Sequence, residues 1–229
     1  CGLIGSSLLR AIDKKKICKK IFVYEKSKAN IIKIKKLKLP CTITNNFKNV
    51  IPKMDMIIFC TPMSEYAKII LKINKYLTSK TIITDVGSSK EIPLALIEKK
   101  LKKGISWTSS HPISGSEVSG PEFGDSNLFL GKWCILIKEK NSNKKHLVFL
   151  EKFWKKIGSK VVKMNSKKHD SVFSMTSHLP HLIAYNLVKS AQDFEKQKKY
   201  DLIKYSAGGL RDFSRIAASN EIMWRDIFF

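Results

Sequence analysis

Arginine is nearly absent from a chain crowded with basic residues. Of 43 basic positions only four are arginine: Arg10, Arg211, Arg215 and Arg225. Acid is scarce too, with 19 Asp and Glu and a formal net charge of +24, a balance that raises nucleic acid or an anionic membrane as partner. The lysines, however, are dispersed with Ile and Asn through IIKIKKLKL, KKLKKG and KEKNSNKKH rather than gathered on one motif. No zinc-finger spacing, basic zipper or interleaved aromatic-basic pattern accompanies them, so no nucleic-acid partner is expected. The five cysteines (Cys1, Cys18, Cys41, Cys60, Cys134) are odd in number and far apart. That excludes a disulfide framework and a CxxC metal site, and it points to a reducing, cytoplasmic compartment. No run approaches the roughly 20 apolar residues of a membrane span, so no membrane partner is expected. His178 and His181 stand three apart, but no HExxH glutamate or suitably placed acid joins them. No metal is expected, and the pair is read as lining a polar pocket.

What is present describes a globular chain: 229 residues, 43% hydrophobic, 10% aromatic, enough for a buried core. CGLIGSSLLRAI carries Gly2 and Gly5 at the spacing of the second and third glycines of GxGxxG, and Leu8, Leu9 and Ile12 continue it as a helix. Gly2 would let the backbone approach a pyrophosphate, Gly5 would let helix and strand pack closely, and the helix N-terminus around Leu3 and Ile4 would face the phosphates. IFVYE reads as a short buried strand ending in Glu25, at the offset where a carboxylate grips the adenosine ribose. An acid there favours NAD over NADP, and nearby Lys26 and Lys28 temper the preference.

The alternation continues with MDMIIFCTP, the helical SEYAKIILKINKYL, and TIITDVGSSK. Strand, helix, strand at this period predicts a mostly parallel sheet with crossover helices, which binds ligands beyond the carboxyl ends of its strands. Thr61, Pro62, Gly87 and Ser88 fall at such ends, where each alone is also ordinary turn chemistry. His111-Pro112 sits in a Ser/Gly-rich stretch read as a loop with an accessible imidazole, suited to accepting a proton near neutral pH. KWCILIK and KVVKM, separated by the helical HLVFLEKFWKKIG, close the sheet. Residues 1–166 are therefore expected to form a dinucleotide-binding domain, with its first strand before Cys1. Residues 167–229 read as helices alone, a substrate and dimerisation domain whose tail lies beyond Phe229. Three of the four arginines fall in Gly208 to Asp226. This stretch reads as helical, with Phe213, Ile216, Ala217 and Met223 on one apolar face, and its guanidinium forks suit two-point recognition of an anion. Solvated arginines on an ordinary helix fit equally well.

HPISGSE, SHLPH, AGGLRDFSRIAAS and MWRD, with GLIG and DVGSSK, closely resemble the prephenate and arogenate dehydrogenases over essentially the whole chain. GPEFGDSNLFLGKWCIL and IKYSAGG resemble the bacterial cyclohexadienyl form. The resemblance implies a Rossmann-like domain followed by a helical domain, a homodimer, and NAD(P)-dependent oxidative decarboxylation of prephenate or arogenate in tyrosine biosynthesis. It further implies that His111 accepts the hydroxyl proton, Ser88 orients His111 and the nicotinamide, and Arg215 binds the ring carboxylate. His181 would be a pocket histidine, and Glu117, Asp212 and Trp224 would shape or gate that pocket. His178, Arg211 and Arg225 would give structural support. Two other readings stay open: another two-domain NAD-dependent hydroxy-acid dehydrogenase, for which no catalytic lysine or helical His-Glu pair is found, and a basic nucleic-acid-binding protein on a nucleotide fold.

Overall fold

The computed structural model of the chain describes every residue except Glu117, Tyr200 and Phe229, and of Ile203 the backbone alone. The first half alternates helix and strand: α1 (Leu3–Lys14), β1 (Phe22–Val23), α2 (Lys28–Lys36), β2 (Thr42–Ile43), α3 (Phe47–Val50), β3 (Met56–Phe59), α4 (Tyr66–Ile73), β4 (Ile82–Asp85) and α5 (Glu91–Glu98). Then follow β5 (Ser110–Pro112), β6 (Trp133–Ile137), α6 (Lys144–Ile157) and β7 (Lys160–Met164). β1 pairs with β2, β3 with β4 and β6 with β7, all parallel, whereas β5 runs antiparallel to β6. A parallel bridge from Ile83 to Trp107 and a Thr84–Ser110 hydroxyl contact of 3.2 Å carry β4 across to the segment that becomes β5.

Consecutive residues of a strand face opposite sides, and here each side is buried. Ile82 joins Leu8, Ile12, Leu136, Leu150 and Trp154 under α1 and α6, while Ile83 joins Phe59, Tyr66, Ile70, Ile73 and Ile97 under α4 and α5. This two-sided burial makes the strands apolar runs and places helices on both faces, as in doubly wound nucleotide-binding folds. Asn143 caps α6 by accepting from the backbone of Lys145 and His146, and Gly158 ends it at φ 115°, where a side chain would be strained.

From Ser166 onward the described residues form no strand. α7 (Ser166–Phe173) runs through a π-helical turn, Ser174–His178, into α8 (Leu179–Lys198). Pro180 accounts for the turn: it lacks an amide proton for the i→i−4 ladder and crowds the carbonyl before it, and one wide turn relieves both. α9 (Gly208–Ala217) packs along α8, and α10 (Glu221–Phe228) follows. The arginine stretch is thus two helices rather than one. The chain turns at Ser219–Asn220, where Asn220 accepts from the Met223 amide at 2.9 Å and starts α10, so Met223 does not continue the Phe213 face. α10 docks on the first half: Asp226 accepts from the Ser64 hydroxyl (2.6 Å) and amide (3.1 Å), and the Ser89 hydroxyl donates to the Ile227 carbonyl (3.4 Å). Among the described residues no helix is long and apolar enough to cross a membrane.

Candidate active site

The residues that follow β1 and β3 lie against the N-terminus of α1. Gly2 caps that helix, and a Cβ placed on it would meet nothing within 4 Å, so packing does not require glycine there. A Cβ on Gly5 would lie 3.3 Å from the Cys60 Cβ, so Gly5 is where α1 closes on β3. Leu3 and Ile4, between them, form the first turn. Glu25 follows β1, half-buried, accepting from the Ser27 amide at 2.8 Å. Thr61 follows β3, and its Oγ1 is buried without a hydrogen-bond partner among the described residues. Pro62 opens the short turn that leads to α4. A bare helix N-terminus, an open glycine, a strand-end carboxylate and an orphaned hydroxyl are the features a dinucleotide's phosphates and ribose would satisfy. Burial pushes the neighbouring Cys60 thiol up to about 12, which leaves it protonated and inert at neutral pH.

Beyond β4 stands a fully buried ion pair that sequence reasoning missed. Lys90 Nζ lies 2.6 Å from Asp85 and donates to the Ser110 carbonyl at 2.8 Å, with side chains 1% and 2% exposed. Asp85 also accepts from the Gly87 amide (2.9 Å), the Trp107 indole (3.1 Å), the Tyr66 hydroxyl (3.3 Å) and the Ser109 hydroxyl. A Cβ at Gly87 would sit 2.9 Å from the Tyr66 hydroxyl and 3.0 Å from Asp85, so glycine is required by packing. Ser88 lies half-buried in the bend that follows, and no hydrogen bond joins it to His111. The Asp85–Lys90 pair ties the end of β4, this bend and β5 into one rigid unit.

His111 is not the accessible loop residue its Ser/Gly-rich surroundings suggested. It is buried in the antiparallel strand β5, because pairing of Ser110, His111 and Pro112 with Leu136, Ile135 and Cys134 draws the segment into the sheet. Its Nδ1 lies 2.8 Å from Nε2 of His169, whose Nδ1 lies 2.6 Å from Asp170. Asp170 in turn accepts from the backbone amides of Lys90 (3.0 and 3.1 Å) and Glu91 (2.8 Å), at the start of α5. Phe173 closes over both rings, its centroid 5.0 Å from His111 and 4.6 Å from His169. Burial, with Lys90, His169 and His178 nearby, holds the His111 imidazole well below its ordinary value, hence neutral at pH 7. Hydrogen bonds from His169 and the two amides outweigh burial and hold the Asp170 carboxyl below its ordinary range, hence ionised. The one side-chain hydrogen bond His111 makes to the described residues is at Nδ1, which leaves Nε2 available. Adjacent His169-Asp170 amid lysines was the available signal for this pair, but nothing in its spacing pointed to a partner 58 residues away.

The helical half brings together a second group of ring side chains. Trp224 is 5% exposed and stacks on His181 at 3.7 Å between centroids, with His178 against its edge at 6.1 Å. His181 Nδ1 donates to the Ser177 carbonyl at 2.9 Å. The Trp224 indole nitrogen, the His178 Nε2 and the Ser114 hydroxyl are buried with no hydrogen-bond partner among the described residues. Arg215 and Asp212 stand exposed on α9, and neither forms an ion pair among the described residues. Arg211 is exposed as well, and Arg225 pairs with Asp226 at 2.9 Å. Glu117 lies outside the described residues. Among the described residues no group of three or more His, Cys, Asp or Glu is placed to hold a metal ion.

Comparison with known proteins gives this arrangement a family. Residues 8–163 match the nucleotide-binding domain of prephenate dehydrogenase and residues 165–229 match its dimerization domain. The chain belongs to the prephenate dehydrogenase family. A cyclohexadienyl dehydrogenase of Zymomonas mobilis is 32% identical over 99% of this chain and 77% of its own length. A prephenate dehydrogenase of Bacillus subtilis is 30% identical over 99% of this chain, which spans 61% of that protein, under two thirds. The crystal structure of prephenate dehydrogenase from Aquifex aeolicus superposes with a TM-score of 0.89 at 33% identity, covering 99% of this chain and 80% of that one. A structure of the same enzyme in complex with hydroxyphenyl propionate and NAD+ gives 0.90 at 34%, covering 99% and 79%. The sheet half and the helical half thus each match a prephenate dehydrogenase domain.

Proposed function

We propose that this chain carries the catalytic machinery for NAD-dependent oxidative decarboxylation of prephenate, arogenate or both, in tyrosine biosynthesis. The observation that carries the reading is His111: a neutral imidazole held at Nδ1, its Nε2 available, at the meeting of a dinucleotide-type sheet end with a helical half whose buried polar groups have no partner among the described residues. Bound NAD would accept the hydride from the ring carbon that bears the hydroxyl. His111 takes the hydroxyl proton on Nε2 as carbonyl character develops. Loss of the ring carboxylate as carbon dioxide makes the ring aromatic, so the protein's task is positioning and proton removal.

Gly2, Leu3, Ile4 and Gly5 hold the pyrophosphate, Glu25 the adenosine ribose, and Thr61, Pro62, Gly87 and Ser88 flank the nicotinamide, with Ser88 orienting it against His111. The carboxylate of Glu25 favours NAD over NADP by repelling a 2′-phosphate. Arg215 takes the ring carboxylate. Its support is an exposed guanidinium with no ion pair among the described residues, on α9, the helix packed along the one that carries His181. It must hold that carboxylate without stabilising the ground state above the transition state. His181, Asp212, Trp224 and Glu117 shape the pocket. In this reading residues 1–166 form the nucleotide unit and 167–229 the substrate unit of a cytoplasmic homodimer. The test is NADH formation with each substrate, using the full-length protein. His111→Asn is expected to lower turnover by about two orders of magnitude or more with NAD affinity nearly intact. Wild-type turnover in that variant would remove His111 as the base.

A further inference from the structure

We infer that His169 and Asp170 are positioning residues for the proton acceptor: they dictate which nitrogen of His111 carries its hydrogen, and they couple that choice to the bend at Ser88. This rests on the reading of His111 as the base. Asp170 receives three contacts from the amides of Lys90 and Glu91, and an amide can only donate. A carboxylate so used is an acceptor toward its remaining neighbour, so His169 donates from Nδ1 across 2.6 Å. A neutral His169 then presents a lone pair at Nε2. His111, 2.8 Å away, fills it with its Nδ1 hydrogen. The lone pair of His111 is thereby fixed on Nε2, the nitrogen left available. In the reaction the hydroxyl proton passes to that Nε2, and the imidazolium formed keeps its Nδ1 hydrogen bond to His169. No proton moves along the relay in this step, and Asp170 offsets the new charge through the intervening ring, as the carboxylate of a catalytic triad does. The phenolate left by loss of carbon dioxide then takes the proton back from Nε2.

The two amides belong to the residues that directly follow Gly87, Ser88 and Ser89, so one carboxylate from α7 pins both the strand-end bend and the relay to His111. The groups that face His111 are Lys90 from the bend, His169 from α7 and His178 from the π-helical turn, with Asp85 and Asp170 behind them and the Cys134 thiol against its backbone. Asp170→Asn retains an oxygen for the amides but turns an NH2 group toward His169. His169 would then protonate at Nε2, and the His111 lone pair would be trapped facing it.

The experiment pairs kinetics with histidine 15N spectra, which report tautomers directly. In the wild-type chain the spectra should show His111 protonated at Nδ1 and His169 at Nδ1. In Asp170→Asn both should switch to the Nε2–H form. That variant's kcat should fall about 100-fold or more, its KM for substrate and NAD should change less than threefold, and the acid limb of kcat/KM should move to lower pH. His169→Phe should lose kcat similarly. A His111 found as the Nε2–H tautomer in the wild type overturns the proposal whatever the variants do. So does Asp170→Asn with wild-type kcat, or with its loss confined to both KM values and no movement of the pH limb, the signature of a contact that merely docks α7. If instead His111→Asn stays active, the base assignment fails first and independently of the relay.

Discussion

Replacing Lys90 by Met tests how the site's rigid floor is built. The ammonium is enclosed with Asp85, and the substitution keeps the apolar stem while removing the charge and its bonds to Asp85 and the Ser110 carbonyl. Asp85 would keep four donors, from Gly87, Trp107, Tyr66 and Ser109, but would hold a buried negative charge with no cation. Breaking one side of a buried pair costs about 3–5 kcal/mol because the partner is left uncompensated. In a chain of this size about 2–4 °C of melting temperature accompanies each kcal/mol, so Lys90→Met should melt roughly 6–20 °C lower. Denaturant titrations followed by circular dichroism give the free energy, and Asp85→Asn with the double variant closes a cycle. The double variant should be less destabilised than the sum of the singles by on the order of 1–3 kcal/mol. A Lys90→Met chain within about 1 kcal/mol of wild type, or strictly additive singles, would refute the claim that this pair holds the bend against β5.

Other expectations follow from the same geometry. Because His111 is held well below 6.5 and acts as a base only when unprotonated, kcat/KM should stay flat as pH falls through 6.5 and decline only lower; an acid limb at or above 6.5 would contradict its burial. Thr61→Val removes a hydroxyl that is buried with no partner among the described residues, so folding stability should hold or rise while NAD binding weakens several-fold, about 1 kcal/mol for a hydrogen bond made only to the ligand. Unchanged NAD affinity by calorimetry would take Thr61 out of the cofactor site. Gly5→Val should weaken NAD binding and lower stability together, since its first side-chain carbon already meets Cys60 at 3.3 Å. Glu25→Ser should raise the NADP to NAD ratio of kcat/KM by about tenfold, the worth of roughly 1.4 kcal/mol; an unmoved ratio would leave cofactor choice to other groups.

The strands that frame the site were legible because strands buried on both faces read as continuous apolar runs: MIIF, IITD and WCILI all lie within segments whose composition predicts them. Gly5 was legible because close helix-strand approach is a local demand. His111 was found as chemistry but misplaced as structure, since its burial comes from pairing with residues 134–136, and Ser, Gly and Pro beside it carry no trace of that partner. Lys90 was hidden for a similar reason. In a chain this rich in lysine nothing local marks the one whose ammonium meets Asp85 in the interior. The His169–Asp170 relay is assembled across 58 and 80 residues, from α7 to β5 and from α7 to the bend after β4, and no periodicity encodes such a meeting. The break within the arginine stretch was readable from Ser219–Asn220, a helix-starting pair, but the apolar spacing on either side masked it.

The central claim is that a histidine from the sheet half and the tryptophan wall of the helical half serve one ligand. The most direct measurement titrates the NAD-loaded protein with hydroxyphenyl propionate, the compound in the Aquifex aeolicus complex, following the His111 ring nitrogens and the Trp224 indole N–H in one 15N-labelled sample. Both signals should move together along a single binding curve. Movement of one while the other stays fixed at saturation would mean that the two walls do not share a site.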